Sequence, residues 1–286
     1  MSTLYVSDLD FTLLRSDATL GARTVEIVNR LIAAGHHFTC ATARSYTSAI
    51  CVTADLGLTL PLITYGGAVC FDPGRGAIDH LEPLLAMTVD AITSLTAAHP
   101  RVEPLLFAMV NGRDRVCWRE NHATDYVTSF TARRAGDPRL LPLPDWGALD
   151  DAAVFYATLI GERDDIEGLR SDLLPLLTDC FDTVGLDGYN PGQTWFEIMS
   201  TRATKAAGAR RLAHQIGADQ IIAFGDNLND VPLFEVADHS CAVANAVPQL
   251  LHIADEVIPG NDDDGVAGWL QRHVLATYGP SIARPD

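Results

Sequence analysis

Cations are scarce in this chain. Lysine and arginine together number 20 against 37 aspartates and glutamates, a formal net charge of −17. A broad basic face is therefore excluded, and with it nucleic acid or an anionic membrane surface as a partner. A small anionic substrate is not excluded, because a bound metal and a few placed cations reverse the sign locally. Cysteine is sparse too. Cys40, Cys51, Cys70, Cys117, Cys180 and Cys241 are widely scattered with no CxxC pair, which fits packed thiols in a reduced intracellular protein. No uninterrupted apolar run approaches membrane-spanning length. Residues 1–4 show neither a basic n-region nor a long apolar h-region, so no signal peptide is read and a cytoplasmic location is expected. There is no internal repeat and no low-complexity tract, and the nine histidines show no metal-ligand spacing.

What is present is a well-cored chain. Hydrophobic residues make up 48% and charged residues 20% of 286 positions, which suits one large or two modest globular domains. Residues 4–7 form a short apolar run that predicts a buried strand. Residues 22–34 place Val25, Val28, Leu31 and Ile32 at helical spacing and stop at Gly35. Strand, helix and strand signals follow over 38–41, 46–56 and 61–64, then a hairpin over 68–80. This βαβαβ alternation predicts a doubly wound parallel sheet with right-handed crossovers.

From about residue 82 the pattern changes to α+β. A helix is expected over 84–98, a hairpin around the turn Asn111-Gly112-Arg113-Asp114, a strand over 153–160, a helix over 166–177, and strands over 180–184 and 195–198. The α/β alternation resumes with a helix from 205 and strands at 220–224, 240–243 and 256–258. The chain is thus read as an α/β core made of residues 1–81 and 187–286, interrupted by an inserted α+β domain of residues 82–186. The joints are placed at 80–83 and 186–193, and residues 279–286 are expected to be a frayed tail.

In an open parallel sheet, ligands bind beyond the carboxyl ends of the strands. The first strand ends in Asp8 and Asp10, the second in Thr42 and Arg44. Lys205 opens a helix just after the insert, and the strand over 220–224 runs into Gly225-Asp226-Asn227-Leu228-Asn229-Asp230. Two carboxylates at a strand mouth repel each other and lose hydration, an arrangement suited to a metal cation or a proton-transfer task. Acids for a hard cation, with a hydroxyl, a lysine and helix amino ends for an anion, suit phosphoryl transfer. A carboxylate attacks phosphorus, a second carboxylic acid protonates the leaving oxygen, and magnesium offsets the charge.

These segments carry a resemblance. Asp8-Leu9-Asp10-Phe11-Thr12 resembles the first motif of the haloacid dehalogenase (HAD) superfamily, Thr42 the second, Lys205 the third and Gly225-Asp226-Asn227-Leu228-Asn229-Asp230 the fourth. The stretches at 62–68, 245–248 and 264–267 look like the Cof-like sugar-phosphatase branch, which carries a large α/β cap after the third core strand. The resemblance implies Asp8 as nucleophile and Asp10 as acid/base. It implies Mg2+ as cofactor, held by Asp8, the main-chain carbonyl of Asp10, and Asp226. Asp230 would support the metal through water, with Asn229 a lesser member of that shell. Thr42, Lys205 and Arg44 would bind phosphate, and Lys205 would also steady Asp8. Two positions depart from the branch: Gly66 stands where Asn is usual, and Ala43 where Gly is usual.

Each residue also has a plainer reading. Asp226 and Asp230 suit a helix cap, Thr42 suits any strand, most lysines are solvated, and Asp262, Asp263 and Asp264 read as a solvated loop, in which the resemblance implies Asp264 as a loop residue near the site. Trp118 and Trp195 read as core. The expected activity is a magnesium-dependent phosphatase of a small phosphorylated metabolite, a sugar or polyol phosphate. The insert would close over the crevice and set specificity, with Arg101, Arg113, Arg115 and Arg119 available. The alternatives are a phosphomutase of the same superfamily and a non-catalytic metabolite-binding protein on the same fold.

Overall fold

The computed structural model describes residues 2–186 and 193–276. The chain divides into two compact units, Met1–Leu81 with Ala203–Asp286, and Glu82–Arg202.

In chain order, the first unit opens with β1 (Thr3–Ser7), α1 (Ala22–Ala33), β2 (His37–Cys40), α2 (Tyr46–Val52) and β3 (Leu62–Thr64), then a hairpin of β4 (Val69–Asp72) and β5 (Ala77–Leu81). The apolar run of β1 is buried on both faces, as a central parallel strand requires. Helix α1 buries Thr24, Ile27, Val28 and Leu31, one face at three- and four-residue spacing. Gly35 ends it at φ +87, a conformation that only glycine adopts freely.

The second unit contains α3 (Ala86–Thr96), β6 (Pro104–Val110), β7 (Arg113–Arg119), α4 (Asp125–Ala132), β8 (Leu140–Leu143), β9 (Ala153–Gly161), α5 (Arg163–Leu173), β10 (Cys180–Leu186) and β11 (Thr194–Ser200). They build one six-stranded sheet in the order β10-β11-β9-β6-β7-β8, antiparallel except for the β7–β8 pair. Asn111 and Gly112, both at positive φ, make the tight β6–β7 turn. Alternate residues feed two cores. Leu106, Ala157, Leu159 and Phe196 pack with Ile92 of α3 and Leu169 of α5, while Leu105, Val116, Trp118 and Ile160 pack with Val127 and Phe130 of α4.

The boundary after the insert differs from the sequence expectation. The sequence pattern places residues 187–202 in the core, but β11 is bonded along its length to β10 and to β9. Those ladders hold it in the second unit, and the core resumes at Ala203. A lone strand beyond a Gly/Pro-rich joint carries no mark of which sheet it will enter. Helix α4 and strand β8 were also unforeseen. The expected joint at Gly188, Pro191 and Gly192, and the tail at 279–286, lie outside the described residues.

The first unit then continues with α6 (Lys205–Ile216), β12 (Gln220–Gly225), α7 (Val231–Val236), β13 (His239–Val243), α8 (Pro248–Ile253), β14 (Glu256–Ile258) and α9 (Gly265–Leu270). Its main sheet is fully parallel in the order β14-β13-β12-β1-β2. β3 joins beyond β2 through a parallel bridge from Ala41 to Ile63. The fold is α/β, a doubly wound parallel sheet interrupted by an α+β domain. Among the described residues no helix is long and apolar enough to cross a membrane.

Candidate active site

β1 and β12 are neighbours, with Ser7 opposite Phe224. The ladder continues one step further, the Asp8 amide donating to the Phe224 carbonyl at 3.0 Å. Asp8 and Asp226 therefore leave adjacent strands at the same end of the sheet. After Asp8 the chain makes one wide turn over Leu9–Leu13, closed by the Leu14 amide on the Leu9 carbonyl at 2.8 Å. Phe11 takes a left-handed φ of 57 inside it. Asn245 Nδ2 donates to the Phe11 carbonyl at 2.8 Å, and Thr12 Oγ1 donates to Asp226 Oδ1 at 3.0 Å.

Lys205 is the first residue of α6, whose start is capped by the Thr204 hydroxyl accepting from the Ala207 amide. Its Nζ lies 2.8 Å from Asp8 Oδ1 and donates to Asp230 Oδ1 at 2.6 Å. The second oxygen of Asp230 accepts the amides of Asp226 and Asn227 at 3.0 and 3.1 Å. Asp230 is thus a cap, as its plainer reading held, and also an anchor for the lysine. Asp8, Asp226 and Asp230 each bring a carboxylate oxygen within 4.8 Å of the others. All three, and Lys205, are buried.

Three carboxylates around one ammonium leave two uncompensated negative charges if all are ionised. The protein's response is visible in Asp8, which burial pushes up to about 8 against the pull of Lys205, with Asp230 and Asp226 adding to the rise. Burial and the Asp230 charge also raise Asp226. Burial pulls Lys205 down, but Asp8 and Asp230 outweigh it and push it up to about 12. A divalent cation beside Asp8 and Asp226 brings the set to neutrality. All the donors are oxygens, the type that magnesium prefers. Asp230, with both oxygens already accepting, is left to orient Lys205 and the Asp226 backbone.

Asp10 stands apart from this group. Its carboxylate is gripped by Arg44, through Nε to Oδ2 at 2.8 Å and Nη2 to Oδ1 at 2.6 Å, and Arg44 Nη1 also donates to Ser48 Oγ. Arg44, expected at the phosphate, is here committed to Asp10. Thr42 is buried two residues past the β1–β2 ladder. Its amide donates to the Ile63 carbonyl, and its Oγ1 accepts from the Arg44 amide at 3.1 Å, which leaves the hydroxyl proton for a ligand. Asn229 is exposed on the turn that leads into α7. Gly66 sits at φ 65, in a loop held by the Tyr65 amide on the Arg44 carbonyl and the Gly66 amide on the Thr42 carbonyl.

Sequence reasoning gave no role to Ser48 or Asn245. Asp264, expected as a loop residue near the site, accepts from Arg15 and Thr24 and ties down the segment after the first motif. One signal was available for Lys205: it is the only lysine in the chain. Where every other strong side-chain cation is arginine, a lone lysine at a helix start stands out.

The model of the haloacid dehalogenase-like hydrolase family matches residues 5–270. The chain belongs to that family. A haloacid dehalogenase-like hydrolase from Bacteroides thetaiotaomicron has a similar fold, with a TM-score of 0.75 at 20% identity over 95% of this chain and 99% of that one. In sequence the chain is similar to 5-amino-6-(5-phospho-D-ribitylamino)uracil phosphatase YitU of Bacillus subtilis, 26% identical over 94% of this chain and 97% of that one. It is also similar to phosphoglycolate phosphatase of Halorubrum lacusprofundi, 42% identical over 58% of this chain and 77% of that one. The protein is a hydrolase of this family, of the phosphatase type.

Proposed function

We propose that the protein hydrolyses a small phosphorylated metabolite of the sugar or polyol phosphate class, with Mg2+ as cofactor and an aspartyl-phosphate formed at Asp8. The observation that carries this reading is the buried arrangement of Asp8, Asp226 and Asp230 around Lys205, which with all three carboxylates ionised lacks the two positive charges that a divalent ion brings. Asp8 and Asp226 would hold the ion, with the main-chain carbonyl of Asp10 as a third oxygen and Asp230 supporting from behind. Bound there, magnesium offsets the repulsion between the Asp8 carboxylate and an incoming phosphate.

The rest belongs to the chain's own residues. Lys205 keeps Asp8 oriented, favours its ionised form and offers its remaining donor capacity to a phosphate oxygen. Thr42 donates its hydroxyl to another. Asp8 attacks phosphorus, and Asp10 passes a proton to the leaving oxygen, then takes one from the water that cleaves the acyl phosphate. To carry that proton, Asp10 must leave the Arg44 fork, so Arg44 acts as the rest position of the acid/base. Specificity for the leaving group is assigned to the second unit. The polyol class is supported by the relative named for a phosphoribitylamino substrate.

Asp8→Asn tests the mechanism. With Mg2+ and a panel of phosphate esters, turnover should drop by about four orders of magnitude or more. Wild-type rates in that variant would remove the covalent step. Isomer instead of free phosphate from a hexose 1-phosphate with a bisphosphate activator would favour the mutase.

A further inference from the structure

The first unit carries a second set of metal-ligating side chains, and none of them belongs to the carboxylate group. His239 opens β13 and Glu256 opens β14, the neighbouring parallel strand. Cys241 stands opposite Glu256 in the register and two residues from His239, so all three side chains share one face of the sheet. One donor atom from each lies within 4.8 Å of the others.

We propose that His239, Cys241 and Glu256 form a site for a borderline-soft divalent cation of the zinc class, distinct from the magnesium position. Imidazole nitrogen, sulfur and carboxylate oxygen are the donors that zinc takes, with water left for a fourth position. The spacing fits. His239 Nε2 lies 3.4 Å from Glu256 Oε2. Bonds of about 2.0–2.1 Å to a tetrahedral ion place two ligand atoms about 3.3–3.4 Å apart. Trp269 Nε1 donates to Glu256 Oε2 at 2.8 Å and so orients one of the three ligands. His239 Nδ1 lies 4.0 Å from Asp255 Oδ2, an oxygen that the Ser240 amide and hydroxyl hold in place.

Charge adds a third argument. A thiolate, a carboxylate and a neutral imidazole carry two negative charges together, which a divalent ion cancels, so the ion and its three ligands sum to zero charge where Cys241 is buried. As the sulfur–metal bond forms, the Sγ–H bond breaks and the proton goes to solvent, with no electron transferred. The plainer reading is a packing cluster, with His239 stacked on Trp269 and Glu256 serving the indole. It predicts no thiolate ligand.

The full chain, saturated with Mg2+, is titrated with Co2+ as an optical stand-in for zinc. The expected result is one equivalent of Co2+ giving a thiolate-to-cobalt charge-transfer absorption, abolished by Zn2+ and absent in Cys241→Ser. In His239→Gln, altered at a half-buried position, Co2+ affinity should fall by about tenfold or more. No charge-transfer band in wild type, or a band that persists in Cys241→Ser, overturns the site. If Cys241→Ser fails to fold by circular dichroism, unchanged affinity in His239→Gln overturns it alone. The readout is absorption and not turnover, so it stands apart from the phosphatase reading.

Discussion

The two units differ in how they compensate their most buried charges. In the inserted unit the buried or half-buried charges are closed against one another. Arg119 grips the buried Glu103, Arg139 meets Asp137 and Asp114, and Arg170 meets Asp182. Arg101 is paired with Asp165. In the flanking unit a single ammonium faces three buried carboxylates. A closed pair orders the fold and has little left for a ligand. An unclosed set is unstable until something completes it, and that is where chemistry is to be expected.

The sharpest way to break this contrast is to remove Lys205. Lys205→Met leaves the buried carboxylates without their cation and should destabilise the protein by about 3–5 kcal/mol in denaturant titration. Lys205→Arg should not restore activity, because the guanidinium is a wider, planar fork in a pocket that fits a point charge. Full activity in Lys205→Arg would show that the cation's shape is irrelevant.

The next effect is on pH and metal. Asp8 is raised in the fold from 3.8 to about 8. A carboxyl whose folded pKa exceeds its unfolded value stabilises the fold below about pH 4 and loses that contribution as pH rises towards 8. In chelator, stability should therefore fall across this window relative to Asp8→Asn, by an amount on the order of a few kcal/mol, and Mg2+ should recover it at the upper end. Parallel pH curves for the two proteins would mean that Asp8 shares no uncompensated charge.

Arg44 separates two roles by kinetics. As the rest position of Asp10, Arg44→Met should lower kcat by about tenfold to a hundredfold with little change in inhibition by inorganic phosphate. Weaker phosphate inhibition with kcat intact would return Arg44 to the phosphate site. The smallest effect is expected at Gly66→Asn. Asparagine tolerates the left-handed backbone that Gly66 adopts, so stability should change by no more than about 1 kcal/mol, and any gain in substrate affinity would give the missing amide a role.

The parallel-sheet unit was the more legible of the two for a physical reason. Parallel strands buried on both faces give short apolar runs, and the residues just after them are polar by contrast, so Asp8, Thr42 and Asp226 could be read from position alone. The antiparallel insert has weaker signals. Its helix α4 carries only Val127 and Phe130 as buried anchors, and β11 differs from a core strand only in its partners. Hence the misplaced second boundary.

The sequence by itself determined the order of the elements, the alternation that makes the sheet parallel, and the four segments that carry acids, hydroxyl and lysine. Those follow from local periodicity and from which residues end each strand. Only the tertiary structure decided what each side chain touches. It placed Lys205 between Asp8 and Asp230, turned Asp10 to Arg44, and set Thr12 on Asp226, pairs separated by up to 214 residues. It also brought His239, Cys241 and Glu256 onto one face of two strands, where spacing along the chain shows no ligand pattern. Such contacts depend on strand order and register, which no local pattern of residues specifies.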